Sequence, residues 1–268
     1  MTVDVLIPTR NAPASAWLCL THIAAYGIPG IASVAILDNH STDPALGPVL
    51  AWIAGRDRAV LVRHERNVGV WCSLNRGLAL SRSDLVLVVT SDVLLGPTTL
   101  TALLEARRET GHAFISPDCL TGLGAAPGLA RPPGPEIRLR AGYNGACWLM
   151  DWRRLREEVG WFDPRFYVAF GDTDYIERLR LAAHKRADET LVPIILEGVA
   201  VCHLDKQSRR ADMTAAQDTD MELQDGARFR EKWQGHPEVL ARHPGGSREG
   251  YLAFKGQDLG GWEEARVR

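Results

Sequence analysis

The sequence is short of the features that would place it in several functional classes. Its five cysteines, Cys19, Cys72, Cys119, Cys147 and Cys202, are scattered and show no CxxC spacing. That argues against a disulfide framework and fits free thiols in a reducing compartment. Cys202 and His203 are adjacent, but with no other Cys or His clustered nearby they make a poor structural zinc site. Charge of one sign is not in excess either. Lys and Arg total 31 against 33 Asp and Glu, a net charge of −2, so no overall basic field recommends nucleic acid as the partner. No apolar run reaches the ~20 residues of a membrane helix. The opening MTVDVLIPTR has neither a basic leader nor a long apolar core, so the expected location is cytoplasmic, with peripheral membrane attachment left open. Internal repeats are also lacking.

What is present is a chain of 268 residues, 46% hydrophobic and 24% charged, the composition of an ordinary globular domain. Val3 to Ile7 and Ser33 to Leu37 are apolar runs ended by polar residues, which read as buried parallel strands. Between them, residues 14–26 have helical spacing. The alternation continues with a helix over 44–54, a strand over 59–62, a helix over 73–80 and a strongly apolar strand over 85–89. Such alternation predicts a doubly wound α/β fold with a mostly parallel central sheet flanked by helices. A helix from Pro97 to about Glu109 and a strand over 112–116 follow. The Gly- and Pro-rich stretch from Pro117 to Pro135 reads as a long loop. Further elements are expected at 144–150 (strand), 152–158 and 173–183 (helices), 191–201 (one or two strands) and 214–233 (helix), with a loosely packed tail from Gln234.

In an open parallel sheet, ligands bind beyond the carboxyl ends of the strands. Three polar groups sit there: Pro8, Thr9, Arg10 and Asn11 after the first strand, Asp38 to Asp43 after the second, and Thr90, Ser91 and Asp92 after the fourth. Ser41 and Thr42 are explained well enough as turn and cap residues. Asp38 is not, because a carboxylate at a strand end can accept the N–H of a nucleobase. Asp92 precedes Val93, Leu94 and Leu95, a costly place for an unpaired charge, and a divalent cation would supply its partner.

The order of VDVLIPTRN, VAILDNHSTD, RNVGVWCSLNRGLALSRSDLVLVVTSDV, NGACWLMDWRRLREEVGWFDPRF and FGDTDYIERLRLA resembles family 2 glycosyltransferases of the GT-A fold, over Val3 to about His203. The resemblance implies an inverting sugar transfer from a nucleotide-diphosphate sugar, with Mn2+ or Mg2+. Residues 1–95 would form the donor half, 96–210 the acceptor half, and 211–268 a C-terminal helical tail on the same domain. It matches Pro8 and Asn11 to the loop beside the nucleotide, Asp38 to the carboxylate that reads the base, and Asn67, Gly69, Asn75 and Gly77 to stretches along the nucleotide. Thr9, Arg10 and Ser91 join this donor set. Asp92 matches the last acid of the DxD motif, with Thr90 where the first would stand. His203 matches a further metal ligand.

Asp172 matches the general base of the ED-x-D motif, with Gly171 in place of its Glu. Capping of the following helix is the competing role for Asp172. Asp174 is the second acid, and with Trp148, a stacking surface, is expected to meet the acceptor. Asp163 is expected to order a turn. Lys206, Arg209 and Arg210 suggest a basic loop over the diphosphate. The acceptor is a glycan, a lipid-linked glycan or another hydroxyl. Modified DNA is the lesser option, resting on Arg131, Arg138 and Arg140. A homodimer is among the expectations. Thr90 and Gly171 motivate the rival reading, a non-catalytic nucleotide-sugar or glycan binding module. A nucleotidyltransferase ranks lower, because PTRNAPAS lacks that class's glycine-rich signature.

Overall fold

Alternate residues of the central strands are buried on opposite faces, which is why their sequences read as unbroken apolar runs. In the computed structural model, which describes residues 2–25, 30–122, 124, 138–204 and 207–244, one core gathers Val5, Ile7, Leu85, Leu87 and Leu149. A second core, on the other face, gathers Leu6, Val86, Val88, Trp148 and Met150.

The amino-terminal half follows the expected alternation. Strands β1 (Val3–Thr9), β2 (Ile31–Asp38), β3 (Ala59–Arg63) and β4 (Leu85–Val89) are separated by helices α1 (Pro13–Ala25), α2 (Leu46–Ala54) and α3 (Val70–Leu80). They lie side by side as β3-β2-β1-β4, all parallel. The second half adds β5 (Val93–Leu95), α4 (Thr99–Thr110), β6 (Phe114–Thr121), β7 (Leu139–Ala141), β8 (Cys147–Asp151), α5 (Trp152–Glu158), α6 (Gly171–Arg186) and β9 (Ile194–His203). Helices α7 (Gln207–Asp212), α8 (Ala215–Lys232) and α9 (Pro237–Arg242) complete it.

Here the parallel order gives way, and the sheet as a whole is mixed. Strand β8 is antiparallel to both β4 and β6, and β5 and β7 are antiparallel to β9. Because β8 reverses direction between them, β4 and β6 point the same way, and β9 runs parallel to β6. The carboxyl ends of β1, β2, β4 and β9 and the amino end of β8 therefore meet at one edge. Strand β9 serves two short antiparallel partners by breaking at Gly198 (φ 79°), a left-handed conformation that glycine adopts without strain.

Several segments differ from the sequence-based expectation. Strand β6 continues to Thr121, because it pairs with β9 along its length; residues 123 and 125–135 of the expected loop, Arg131 among them, lie outside the described residues, as does Lys206. The basic loop begins as α7. The tail expected from Gln234 starts with α9, held because Arg242 (2.5 Å) and His243 (2.9 Å) bond the buried carboxylate of Glu177; residues from 245 lie outside the described residues. Among the described residues no helix is long and apolar enough to cross a membrane.

Candidate active site

The shared edge opens into a cavity of about 610 Å³. Its floor comes from strand ends: Pro8 and Thr9 at the end of β1 with Arg10 after it, and Thr90, Ser91 and Asp92 after β4. Asn67 and Gly69, before α3, and Asp172, in the first turn of α6, complete one wall. Asp92 and His203, distant in sequence, meet because β5 pairs with β9 in a register that sets Val93 opposite His203. His203 Nε2 lies 3.3 Å from Asp92 Oδ2. Thr90 Oγ1 donates to Asp92 Oδ1 (2.9 Å) and the Gln207 N–H to Oδ2 (3.0 Å). Burial pushes the Asp92 carboxyl up, but the His203 bond and charge, the Thr90 hydroxyl and the Gln207 N–H outweigh it and hold it below the ordinary carboxylate range. A carboxylate and an imidazole so close could both ligate a borderline divalent ion such as Mn2+, while the carboxylate is the donor that suits Mg2+. No group of three His, Cys, Asp or Glu able to hold a metal occurs among the described residues, so further ligands would have to come from substrate and water.

Asp172 has a different environment. Its Oδ1 accepts the Thr173 N–H (2.8 Å), and Gly145 leaves room for the other oxygen, which lies 2.6 Å from where a Cβ would stand. Burial raises its pKa above the ordinary carboxylate value, against the backbone bonds that lower it. Gly171 has no room for a side chain, because its Cβ would come within 2.4 Å of the Trp71 indole. The space that a side chain at 171 would need is taken by an aromatic ring from α3.

Other residues expected at the site have structural work. Asp38 is fully buried and lies behind the cavity lining; its Oδ1 accepts the Ser41 N–H (3.0 Å). Its Oδ2 has no hydrogen-bond partner, though Arg63 Nε stands 3.3 Å away. Asn11 does not line the cavity either, since its Oδ1 accepts from Thr42 N and Asp43 N and its amide donates to Asp212 (2.7 Å). Asn75 spends both ends of its amide on the backbone of Phe162, and Gly77 packs against Leu37 and Leu6.

Two residues expected to meet the acceptor are buried. Asp174 is fully buried and bonded to Arg178, Lys232 and Trp233. Trp148 touches the cavity wall, but its ring is 2% exposed and stacked on Phe114, so it offers no open platform. Asp163 orders the turn as expected, accepting from Arg165 and Lys232. Arg140 faces Asp118 and Glu197 rather than standing as a free basic patch.

The carboxyl-terminal region supplies groups the sequence did not flag. Asp212 pairs with Arg10 (2.6 Å) and, with Met213 and Glu222, lines the cavity. Tyr167 to Phe170 form the wall leading into Asp172. The only signal for residues 167–169 was their place between two recognised motifs, the second of which opens at Phe170.

The model for "Glycosyl transferase family 2" matches residues 4–137. No curated protein matches the chain. Among solved structures, S. aureus TarS 1-349 in complex with UDP-GlcNAc superposes with a TM-score of 0.64 at 17% identity, covering 99% of this chain and 79% of that one. The UDP complex gives 0.59 at 15% identity, covering 86% and 72%. A further S. aureus TarS structure gives 0.62 at 16%, covering 99% and 48%. The matched half carries β1 to β4 and Asp92, and the likeness to TarS extends the same fold through β9. The chain belongs to glycosyl transferase family 2 and has the GT-A fold.

Proposed function

We propose that this protein is an inverting glycosyltransferase that moves a sugar from a nucleotide-diphosphate sugar to an acceptor hydroxyl, with Asp172 as general base. The observation that carries the reading is the presence of Asp172 and the Asp92–His203 pair on one cavity at the carboxyl edge of the sheet. The acceptor oxygen forms a bond to the anomeric carbon as the bond from that carbon to the diphosphate oxygen breaks. Asp172 takes the acceptor proton, and the nucleoside diphosphate leaves. A carboxylate with a raised pKa is a stronger base than an exposed one, which suits that role. Asp92 and His203 are the residues to hold Mg2+ or Mn2+, and the ion would offset charge on the departing diphosphate. Residues 1–95 are assigned to the donor and 96–210 to the acceptor, while Asp212 at the end of α7 pairs with Arg10 on the donor side.

The UDP and UDP-GlcNAc complexes of TarS make a UDP-sugar the first donor to test. The test is a thermal-shift and hydrolysis screen of UDP-, GDP-, dTDP- and CDP-sugars with and without Mn2+, on wild type, Asp92→Ala and Asp172→Asn. Metal-linked donor binding lost in Asp92→Ala, with binding kept but turnover lost in Asp172→Asn, is the expected pattern. If no nucleotide sugar shifts the melting temperature, the reading fails. Binding without turnover by wild type would instead favour the non-catalytic module that Gly171 and Thr90 suggest.

A further inference from the structure

A buried carboxylate on α8 holds the segment that delivers Asp172. Asp225 is fully buried. Its Oδ2 accepts three consecutive backbone N–H groups, from Tyr167 (3.1 Å), Val168 (2.8 Å) and Ala169 (2.9 Å). Its Oδ1 also accepts from Tyr167 N (3.0 Å) and from Arg228 (2.6 Å). Successive N–H groups converging on one anion form a nest, which here is filled by a side chain of the same chain. Without it, three half-buried donors in a row would lose their shared acceptor, and Arg228 its partner, each at a cost.

The clamped segment is also gripped from the opposite side. Val70 N donates to Tyr167 O (2.8 Å). Gly69 (φ 82°) leaves Tyr167 O only 2.7 Å from where its Cβ would be, so this approach requires glycine. Phe170 then takes a left-handed turn (φ 59°), the Asp174 N–H bonds Phe170 O (2.8 Å), and α6 starts with Asp172 in its first turn. The strained turn fixes the direction of α6 only while the three residues before it are held.

We infer that Asp225 is a positioning residue for Asp172: by pinning the backbone of Tyr167, Val168 and Ala169, it sets where the Asp172 carboxylate stands in the cavity. The inference rests on the proposed role of Asp172 for its kinetic consequence, but not for its structural one. Asp225→Asn would turn an N–H2 group toward the three N–H donors or toward Arg228. Asp225→Glu keeps the charge but displaces it by one methylene.

Two measurements test this on the full chain. Carbon-detected NMR titration of the Asp172 carboxyl and amide hydrogen exchange need no turnover. In Asp225→Asn, residues 167–169 should lose protection while α8 keeps its own, and the Asp172 pKa should fall toward the ordinary carboxylate range as its surroundings loosen. Hydrolysis of the best nucleotide sugar should show kcat reduced roughly 10- to 100-fold with KM for the donor little changed, since a base displaced by about 1 Å costs that much. Asp225→Glu should fall between the two, and it carries the test if Asp225→Asn gives no cooperative melt. An unchanged Asp172 titration, or a lowered melting temperature with wild-type kcat and pH profile, overturns the inference. Absence of turnover in wild type counts against the transferase reading alone, and the titration then decides the clamp.

Discussion

Replacing Gly171 with alanine should destabilise the protein, although alanine is the better helix former. The added Cβ would stand 2.4–2.5 Å from Trp71 Cε2, Cδ2 and Nε1, well inside the 3.4 Å where ordinary contact begins. Trp71 cannot withdraw easily, because it is 4% exposed and its ring packs 5.1 Å from that of Phe162. Overpacking of a closed core costs about 1–3 kcal/mol. The gain in helix propensity is at most about 1 kcal/mol in a helix interior, and less at the first residue of α6. The clash therefore wins by about 1–2 kcal/mol, or roughly 3–6 °C in Tm for a domain of this size. Thermal melting of Gly171→Ala, Trp71→Ala and the double variant would check it. Trp71→Ala alone should cost about 3–5 kcal/mol by leaving a cavity. The double variant should be less destabilised than the sum by roughly 1 kcal/mol or more, since no ring remains to be struck. A Gly171→Ala protein melting within about one degree of wild type, with additive double-variant energies, would refute the reasoning.

Asp172→Asn should raise Tm near neutral pH while removing turnover. Burial raises the Asp172 pKa in the folded state, so its contribution to stability is full below the unfolded carboxyl pKa and is lost as pH rises through the folded value. The ionised form present at neutral pH is the unfavourable one, and the wild-type rate should fall with decreasing pH at a value above the ordinary carboxylate range. Glu177 has the opposite sign. Burial opposes its ionisation, but His243, Arg242 and Arg180 hold its pKa at about 2, from an ordinary 4.5. Its contribution is present above the unfolded pKa and disappears as pH falls between these values; urea melts of Glu177→Gln should show a flatter acid limb and weaker attachment of α9.

The strands β1, β2 and β4 were legible because burial on both faces leaves a continuous apolar run. Helix α5 fell within its expected limits, and so did α8, whose start is fixed by a capping box of Thr214 and Gln217. Strand β5 was not legible, since its three residues are too few to show a period. The direction of β8 is a property of pairing that no local pattern encodes. At the site, the rule about strand ends found the residues after β1 and β4. It could not separate Asp172 from Asp174: two residues along a helix turn the side chain by roughly 200°, so one carboxylate meets the cavity and the other the core. Trp148 lines the cavity too, but its burial against Phe114 is a matter of packing that the apolar run of β8 does not encode. Asp225 carried no signal. A lone acid in a polar helix reads as solvated, and its partners are main-chain groups that every sequence has.

The pairing that brings His203 to Asp92 has a consequence for the order in which the protein becomes competent during synthesis. The cavity is closed by contacts spanning much of the chain: Arg10 to Asp212 is 202 positions, Gln207 to Asp92 is 115, and Asp225 to Tyr167 is 58. A nascent chain that has just exposed β1 to β4 to solvent outside the ribosome owns a sheet edge but neither His203 nor the clamp on the Asp172 wall. The pocket is then completed last, and a product of premature termination before α8 would carry the family's sequence signature without the finished pocket.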